Sequence, residues 1–342
     1  MPVPVRIRLR RRAALLAAPA ALALALPAGA GAAFTGANGD LAVHVWPPCV
    51  GGSVCEGARG PTIFRMRPDG TRARRIFEDG TDPSWSPDGR RVAFMRAAAS
   101  DASAQGVVVG DPVSGALRTV VSPADPRLGA GGGLSGPPAW SPDGRRIAFE
   151  WLSALGAGSQ DLYSVRADGG DLRLIARLGA FPRGGAQPAE QAWSTRNWIA
   201  FTRITTTIGS RGRFVRHANL WLVRPDGRDP HPITRAGGES AAWSPSGREV
   251  AYRCGGRLCT LRPGGSRRRV IRFGSRPAWS PDGRLLALVG RRGVYTARTD
   301  GSRLRMIRRA DPARCRPHGS DTSGCLPLSL DWQPLTTRAP TG

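Results

Sequence analysis

The chain repeats one hexapeptide, Trp85-Ser86-Pro87-Asp88-Gly89-Arg90, at Trp140–Arg145 and again at Trp279–Arg284. A near copy and two shorter echoes begin at Trp243, Trp193 and Trp332. Successive tryptophans of this set are 55, 53, 50, 36 and 53 residues apart. Repeats of this length are typical of propellers and solenoids. Because the motif recurs in every unit, it predicts a fold and not a single active site.

Each repeat has the pattern of four short strands. Ser86-Pro87-Asp88-Gly89 places serine, proline and glycine where a type I turn favours them, so we expect the chain to reverse there. Runs that are apolar on both faces follow these turns, as strands buried between two layers should be. They are Arg91–Phe94, Arg146–Phe149, Glu249–Tyr252 and Leu285–Leu288. A second turn, Asp226-Gly227 in one copy, lies between an alternating strand and a more basic segment, as in a hairpin.

Six such sheets bury both of their faces when they pack radially, so the sequence predicts an all-β, six-bladed β-propeller of four-stranded antiparallel blades. The two ends of the chain supply complementary parts of one blade. Asp40–Val45 matches a second strand that lacks a tryptophan-bearing strand before it, and Leu328–Trp332 matches a first strand with nothing after it. Pairing of the N- and C-terminal strands closes the ring and covers two exposed strand edges.

The hexapeptide turn, the Ile147-Ala148-Phe149 type of strand after it and the Asp-Gly hairpin resemble the propeller repeat of TolB-like proteins over residues 36–335. This resemblance implies a six-bladed propeller. It leaves the function open, because similar repeats serve envelope scaffold proteins, noncatalytic binding modules and the propeller halves of prolyl-oligopeptidase-like enzymes. TolB carries an α/β domain ahead of its propeller, and we expect no counterpart of that domain in this chain.

The N-terminal residues have the pattern of a secretory signal. Five arginines lie between Arg6 and Arg12, an apolar run covers Ala13–Leu26, and small residues follow at 28–33. The run is shorter than the roughly 20 apolar residues that cross a bilayer. We therefore expect a signal peptide at 1–33, a propeller at 34–335, a flexible tail at 336–342, and an extracytoplasmic protein that does not span the membrane after cleavage. The arginines leave both the Sec and the twin-arginine export routes open.

Six cysteines form three local pairs that each bracket a predicted loop: Cys49 with Cys55, Cys254 with Cys259, and Cys315 with Cys325. Structural disulfides are expected for such pairs outside the cytoplasm. The alternatives are a redox dithiol and a metal site. The sequence has no Cys-x-x-Cys spacing, and His318 is the one histidine inside a pair. We expect no metal and no cofactor.

The formal net charge is +25, yet the chain contains no lysine. Its excess of arginine, alanine, glycine and proline is typical of proteins from GC-rich genomes. Arginines are spread through predicted outer strands, as at Arg72–Arg75 and Arg267–Arg269. We expect weak attraction to anionic surfaces and no dedicated nucleic-acid binding.

Binding residues are expected on the face of the ring opposite the repeated turns, because long irregular loops on a rigid scaffold concentrate function. The connections that differ between blades are Pro47–Pro61, Arg96–Gly106, Ser122–Pro137, Gly179–Glu190, Thr205–Asn219 and Ala310–Leu326. The mouth of the central channel opens on the same face.

Two kinds of candidate residue lie there. Partner-binding candidates place an aromatic side chain among basic ones, which can anchor a carboxylate, a phosphate or a glycan acid group. They are Arg211, Arg213, Phe214, Arg216 and His217, followed by Arg316 and His318. A solvated loop whose phenylalanine packs on its own blade is the alternative. The second kind is a set of carboxylates just before several first-strand tryptophans, where we expect them to face the channel. They form either a site for a cation or polar ligand or a ring of solvated carboxylates. They are Asp82, Glu190, Glu239 and Asp331.

No pattern of a catalytic site is found. The chain has no Gly-x-Ser-x-Gly elbow, and its four histidines show no metal-ligand spacing. The sequence therefore predicts an exported, noncatalytic, monomeric propeller that binds a protein or peptide through its variable-loop face. The alternative is an extracytoplasmic enzyme, or a carbohydrate- or ion-binding protein, that uses the central channel.

Overall fold

A computed structural model describes residues 34–45, 60–98, 101–128, 132–153, 159–180, 191–208, 214–264, 269–271, 274–290, 292–309 and 327–335. Within these ranges the regular elements are all β-strands. They form six four-stranded sheets, and every neighbouring pair is antiparallel. The predicted all-β propeller of six blades is confirmed.

The strands follow the chain in order. The first twelve are β1 (Ala37–Val45), β2 (Thr62–Met66), β3 (Arg74–Phe77), β4 (Gly80–Trp85), β5 (Val92–Ala98), β6 (Asp101–Gly110), β7 (Leu117–Val121), β8 (Gly132–Trp140), β9 (Arg146–Ser153), β10 (Ser159–Arg166), β11 (Arg173–Ala180) and β12 (Gln191–Trp193). The second twelve are β13 (Ile199–Ile208), β14 (Phe214–Val223), β15 (His231–Pro232), β16 (Glu239–Trp243), β17 (Val250–Cys254), β18 (Arg257–Leu261), β19 (Arg269–Ile271), β20 (Ser275–Trp279), β21 (Leu285–Gly290), β22 (Gly293–Arg298), β23 (Arg305–Arg309) and β24 (Pro327–Leu335).

Blade 1 has the strand order β24-β1-β2-β3, and blades 2 to 6 take four consecutive strands each, from β4-β5-β6-β7 to β20-β21-β22-β23. The first strand of each blade contacts the first strand of the next blade, so these strands surround the axis and the fourth strands form the rim. We call the side with the hexapeptide turns the turn face and the opposite side the loop face.

The hexapeptide forms the predicted turn. The N–H of Gly89 donates to the carbonyl of Ser86 at 2.8 Å, and Gly89 has a φ of 67°, which favours glycine. The Ser86 hydroxyl donates to Asp88 and accepts from the N–H of Arg91 at 2.9 Å. The same bonds recur in the copies that begin at Ser141 and Ser280. The repeated serine and aspartate therefore stabilise the turn.

The apolar second strands are buried as predicted. Val92, Phe94, Ile147, Phe149 and Leu286 have at most 1% of their surface exposed. Each fully buried side chain of this size stabilises the fold by about 1.5–3 kcal/mol. The core is thus a set of layers between adjacent blades.

Three of the six repeated tryptophans link their blade to the one before it. The indole N–H groups of Trp140, Trp243 and Trp279 donate to main-chain carbonyls on the first strand of the preceding blade, each at 3.1 Å. The acceptor is in each case the residue that precedes that strand's own tryptophan. In these three blades the motif residue both fills the core and joins neighbouring blades.

The ring closes through blade 1, as predicted. Strand β1 pairs with β24, and the register places Leu41 opposite Trp332 and Val43 opposite Leu330. The Gln333 side chain also donates to the carbonyl of Gly89 in blade 2 at 2.7 Å. The closing strand is thus attached to both of its neighbours.

Three predicted loops were wrong in extent. Most of Arg96–Gly106 is hairpin, because β5 and β6 pair as far as Ala98 opposite Asp101. Thr205–Asn219 is also mainly paired, since β13 and β14 stay in register out to Ile208 opposite Phe214. The isoleucines and threonines at 204–208 favour strands even beyond the packed core. Ser122–Pro137 is shorter than expected, because β8 already begins at Gly132.

Cys254 and Cys259 form a disulfide with a Cα–Cα distance of 5.9 Å across the β17–β18 hairpin, as predicted. The other two proposed pairs, the signal peptide at 1–33 and the tail at 336–342 lie outside the described residues. No helix in the described part of the chain is long and apolar enough to cross a membrane.

Candidate functional site in the central channel

The first strands of all six blades enclose a central cavity of about 110 Å³, which Phe34 also lines. The position just before the strand's tryptophan contributes one lining residue from each blade. These residues are Ser84, Ala139, Ala192, Ala242, Ala278 and Asp331. Five of the six are small, so the aspartate of blade 1 distinguishes that side of the channel.

The carboxylate of Asp331 bridges blades 1 and 2. Its Oδ2 accepts a hydrogen bond from the backbone N–H of Trp85 at 2.7 Å. Burial raises the pKa of Asp331 to about 7, against the smaller lowering effect of N–H groups from Trp85 and Trp332. The channel wall therefore holds a carboxyl group that changes charge near neutral pH.

An ion pair lies at the loop-face end of the channel. Arg276 Nη1 is 3.0 Å from Asp82 Oδ1, and both side chains are largely shielded from solvent. Arg276 belongs to blade 6 and Asp82 to blade 2, the two blades that flank blade 1. The ion pair therefore crosses the channel in front of the first strand of blade 1. Asp82 is thus not the solvated carboxylate that one of the sequence interpretations described.

His44 of β1 is electrostatically coupled to this pair. Burial lowers the pKa of His44 to about 4, Asp82 opposes that shift, and Arg276 adds to it. Its Nδ1 lies 3.4 Å from the Ser329 hydroxyl oxygen. The imidazole is therefore neutral at physiological pH, close to one fixed charge of each sign.

Three non-glycine residues at this end have left-handed backbones: Asp82 (φ 51°), Ser240 (φ 57°) and Arg276 (φ 49°). Each lies three residues before its strand's tryptophan, where the pairing with the second strand shifts register. Such a conformation costs about 1–3 kcal/mol, and a bulge redirects the side chain. No sequence pattern marks these positions, because an acidic, a polar and a basic residue occupy them.

Gln191 connects blades 3 and 4 beside the cavity. Its Nε2 donates to the carbonyl of Pro137 at 2.6 Å, and the residue is 4% exposed. Its Oε1 has no hydrogen-bond partner among the described residues. The sequence analysis missed this acceptor, since a lone glutamine two positions before a tryptophan has no motif.

Phe34 approaches the channel from the turn face. It precedes β1, whose Ala37 pairs with Leu335 beyond the last tryptophan. The residue is 6% exposed and belongs to the buried cluster that includes Trp140. The turn-face end of the channel is therefore apolar, whereas the loop-face end carries the charged groups.

The other predicted carboxylates do not join Asp82. Glu239 forms an ion pair with Arg253 on the adjacent strand, with 2.9 Å between Nη1 and Oε2. Glu190 lies outside the described residues. Among the residues that the structure describes, no group of three His, Cys, Asp or Glu side chains could hold a metal ion.

The predicted partner-binding residues fall mainly outside the described chain, namely Arg211, Arg213, Arg316 and His318. The other three lie on β14 instead of a loop. The backbone of Phe214 pairs with Ile208 and that of Arg216 with Thr206. His217 is exposed, and its Nε2 is 3.0 Å from the Thr207 hydroxyl.

No protein-family model matches the sequence, and no curated protein matches it. Solved propellers do match the structure. TolB from Acinetobacter baumannii aligns with a TM-score of 0.61 and 16% identity, over 86% of this chain and 67% of that one. A protein described as TolB from Agrobacterium tumefaciens gives 0.52 and 15%, over 79% and 88% of the two chains.

An oligogalacturonate lyase in complex with manganese gives a TM-score of 0.51 and 11% identity, over 84% of this chain and 86% of the lyase. The structure thus defines a six-bladed β-propeller. More particularly, its fold is that of the TolB-type propellers, as the repeat resemblance implied. At these identities the likeness shows the fold alone, and the fold is shared by TolB and a lyase.

Proposed function

We propose that this protein is an exported, noncatalytic propeller that binds a peptide segment of a protein partner at the loop-face mouth of its channel. The observation that carries the proposal is the left-handed backbone at Asp82, Ser240 and Arg276. Strained non-glycine residues persist where the surrounding fold holds them, and they concentrate at ligand sites. Here they place polar side chains around one opening.

The chemistry of the mouth suits a peptide. Asp82 and Arg276 supply one charge of each sign, and Gln191 Oε1 supplies a buried acceptor. The first strands are sheet edges whose outer main-chain groups face the axis, and edges of this kind pair with extended peptides. Phe34 lines the other end, which supports entry from the loop face.

The cavity volume limits how deeply a partner enters. About 110 Å³ holds a few water molecules or one large side chain. The partner would insert a side chain and make most of its contacts at the mouth and on the surrounding connections. This is the same face on which the sequence analysis placed the variable loops.

Export is supported by two independent features. The N-terminal arginines and apolar run have the pattern of a secretory signal. The Cys254–Cys259 disulfide fits a compartment outside the cytoplasm. A noncatalytic function is supported by the engagement of Asp82 and Glu239 in ion pairs, which leaves them as poor candidates for a general base. The third channel carboxylate, Asp331, is held in the wall by the backbone N–H of Trp85.

The test is affinity capture from envelope and culture fluid with residues 34–342 as bait, at low and at high salt. We expect one stoichiometric protein that survives high salt and is lost with the double variant Asp82→Asn, Arg276→Gln. The control is Arg262→Gln, which removes an ion pair with Glu249 at the turn face and leaves the mouth unaltered. Thermal melting must show that the double variant is folded.

Two outcomes would overturn the proposal. One is the capture of polyanions alone, in a salt-sensitive manner. The other is a protein partner that binds the folded double variant as well as it binds the wild type.

A further inference from the structure

Charge is distributed unevenly around the ring. Blade 6 (residues 275–309) has nine arginines and two aspartates. Blades 5 (239–271) and 4 (191–232) each have seven arginines and two acidic residues. Blade 3 (132–180) has five of each charge, and blade 2 (80–121) has four of each. In a ring of six, blades 2 and 3 are diametrically opposite blades 5 and 6. The protein therefore has a strongly basic side and an electrically balanced side.

Several arginines of the balanced side form ion pairs, whereas those on the rim of the basic side form none with the described residues. On blade 3, Arg146 and Arg173 both contact Asp171 at 2.7 Å, and Arg166 contacts Asp168 at 2.7 Å. Each of these arginines thus has an aspartate partner within its own blade.

On the rim of blade 6 the arginines lack such partners. Arg305, Arg308 and Arg309 of β23 are exposed, and none forms an ion pair or side-chain hydrogen bond with another described residue. The aspartate nearest in sequence, Asp300, accepts from the N–H of Ser302 in its own turn. Uncompensated charge of one sign opposes folding through self-repulsion and attracts anions.

A general arginine excess in the composition does not produce this pattern. Such a bias would add arginine to every blade, whereas blades 2 and 3 are balanced to zero. The basic character belongs to a position in the ring. We call the exposed outer side of blades 5 and 6, defined by β19 and β23, the basic rim.

Exposed apolar side chains lie on or next to the same outer strands as these arginines. Val270 is 48% exposed next to Arg269, and Leu304 is 41% exposed next to Arg305. Arginine forks bind carboxylates with two parallel hydrogen bonds, and an apolar side chain packs against the C–H face of a sugar ring. An edge that presents both arginines and exposed apolar side chains therefore matches a chain of acidic sugars better than inorganic polyphosphate.

The curvature of the rim favours a flexible chain over a flat surface. A plane touches the side of a disc at about one blade, whereas a linear polymer can follow two adjacent outer strands. We propose that the basic rim binds a linear acidic polysaccharide through Arg269, Arg305, Arg308 and Arg309. This site is separate from the channel mouth and does not depend on it.

The test measures binding of residues 34–342 to polygalacturonate by biolayer interferometry over a range of salt concentrations. The rim variant is Arg305→Gln, Arg308→Gln, Arg309→Gln. The matched control is Arg166→Gln, Arg173→Gln, Arg177→Gln on blade 3, which lowers the net charge equally. At low salt we expect about a tenfold loss of affinity for the rim variant and less than twofold for the control.

Further measurements separate the alternatives. The channel variant Asp82→Asn, Arg276→Gln should bind polygalacturonate like the wild type, which distinguishes this proposal from the proposed function. Equal losses in the rim and blade 3 variants would indicate attraction by net charge alone and overturn the proposal. Binding to phosphatidylglycerol vesicles but not to polygalacturonate would overturn it as well, as would no binding to either.

Discussion

The carboxylate of Asp331 and the backbone N–H of Trp85, 246 residues apart in the chain, are joined by a 2.7 Å hydrogen bond. Asp331 lies on β24, which closes the ring, and Trp85 is the motif tryptophan of blade 2. The five other blades have serine or alanine at the equivalent position. The closure strand is therefore attached to blade 2 by a group that titrates, which makes the stability of the ring dependent on pH.

The first prediction concerns Asp331→Asn. The folded-state pKa of Asp331 is about 7 and its ordinary value is 3.8, so between these values the folded protein binds more protons than the unfolded chain. This group therefore lowers the stability as the pH rises from about 4 to 7. Asparagine cannot ionise, and its amide oxygen can still accept from Trp85. Thermal melting at several pH values should show a higher Tm for the variant than for the wild type at pH 8.

The control for that experiment is Asp229→Asn, which removes an exposed carboxylate. It should leave the shape of the pH profile unchanged. A profile for Asp331→Asn that parallels the wild type over the whole range would contradict the assignment of the titrating group.

The second prediction concerns His44, whose titration changes the stability with pH in the opposite direction to that of Asp331. Its folded pKa is about 4 against an ordinary 6.5, so the unfolded chain binds more protons between these values. The stability contributed by the buried, neutral imidazole therefore rises from pH 4 to 6.5 and is lost below about pH 4. In the wild type, Asp331 offsets this rise. The Asp331→Asn variant should thus gain more stability between pH 4 and 6.5 than the wild type does, and His44→Gln in that background should remove the gain.

The third prediction compares two tryptophans in equivalent positions. Trp243 donates its indole N–H to the carbonyl of Ala192, whereas Trp85 Nε1 has no hydrogen-bond partner among the described residues. Both side chains are buried, so replacement by phenylalanine removes similar apolar area. Trp243→Phe should reduce the free energy of unfolding by about 1 kcal/mol more than Trp85→Phe, the net contribution of one hydrogen bond. Urea denaturation measures the difference, and equal losses would show that the inter-blade bond contributes little.

Local turn chemistry explains why the fold could be predicted from the sequence. The bonds of Ser86, Asp88 and Gly89 close within six residues, so the motif determines its own geometry. The limits of the loops could not be predicted in the same way. Strands β13 and β14 extend beyond the core because main-chain pairing continues there, and hydrophobic periodicity does not report that pairing.

The channel mouth shows why the candidate site could be predicted only in part from the sequence. Asp82 was expected on the channel, but its partner Arg276 lies 194 residues away in another blade. The left-handed backbone at both residues depends on the register between first and second strands, which side-chain type alone does not specify. The acceptor of Gln191 was missed for the same reason, since its donor bond crosses from blade 4 to blade 3.

The fourth prediction concerns the disulfide. Cys254 and Cys259 are five residues apart in sequence and both are buried. On the chain-entropy model, a disulfide that closes a loop of this size raises the free energy of the unfolded chain by about 2 kcal/mol. The double variant Cys254→Ala, Cys259→Ala should lose about that amount in urea denaturation. Peptide mapping should show both residues alkylated only after reduction, and alkylation without reductant would contradict the bond.

The fifth prediction tests closure of the ring. Strand β24 supplies the first strand of blade 1, including the buried Trp332, and contacts blades 2 and 6. Deletion of residues 328–334 removes that strand and uncovers the edge of β1. Because the apolar layers on both sides of blade 1 lose one wall, the deletion should abolish cooperative unfolding in calorimetry. Deletion of residues 336–342, which follow the strand, should leave the melting curve unchanged. A cooperative transition at the wild-type Tm in the first variant would mean that the ring is stable without its closing strand.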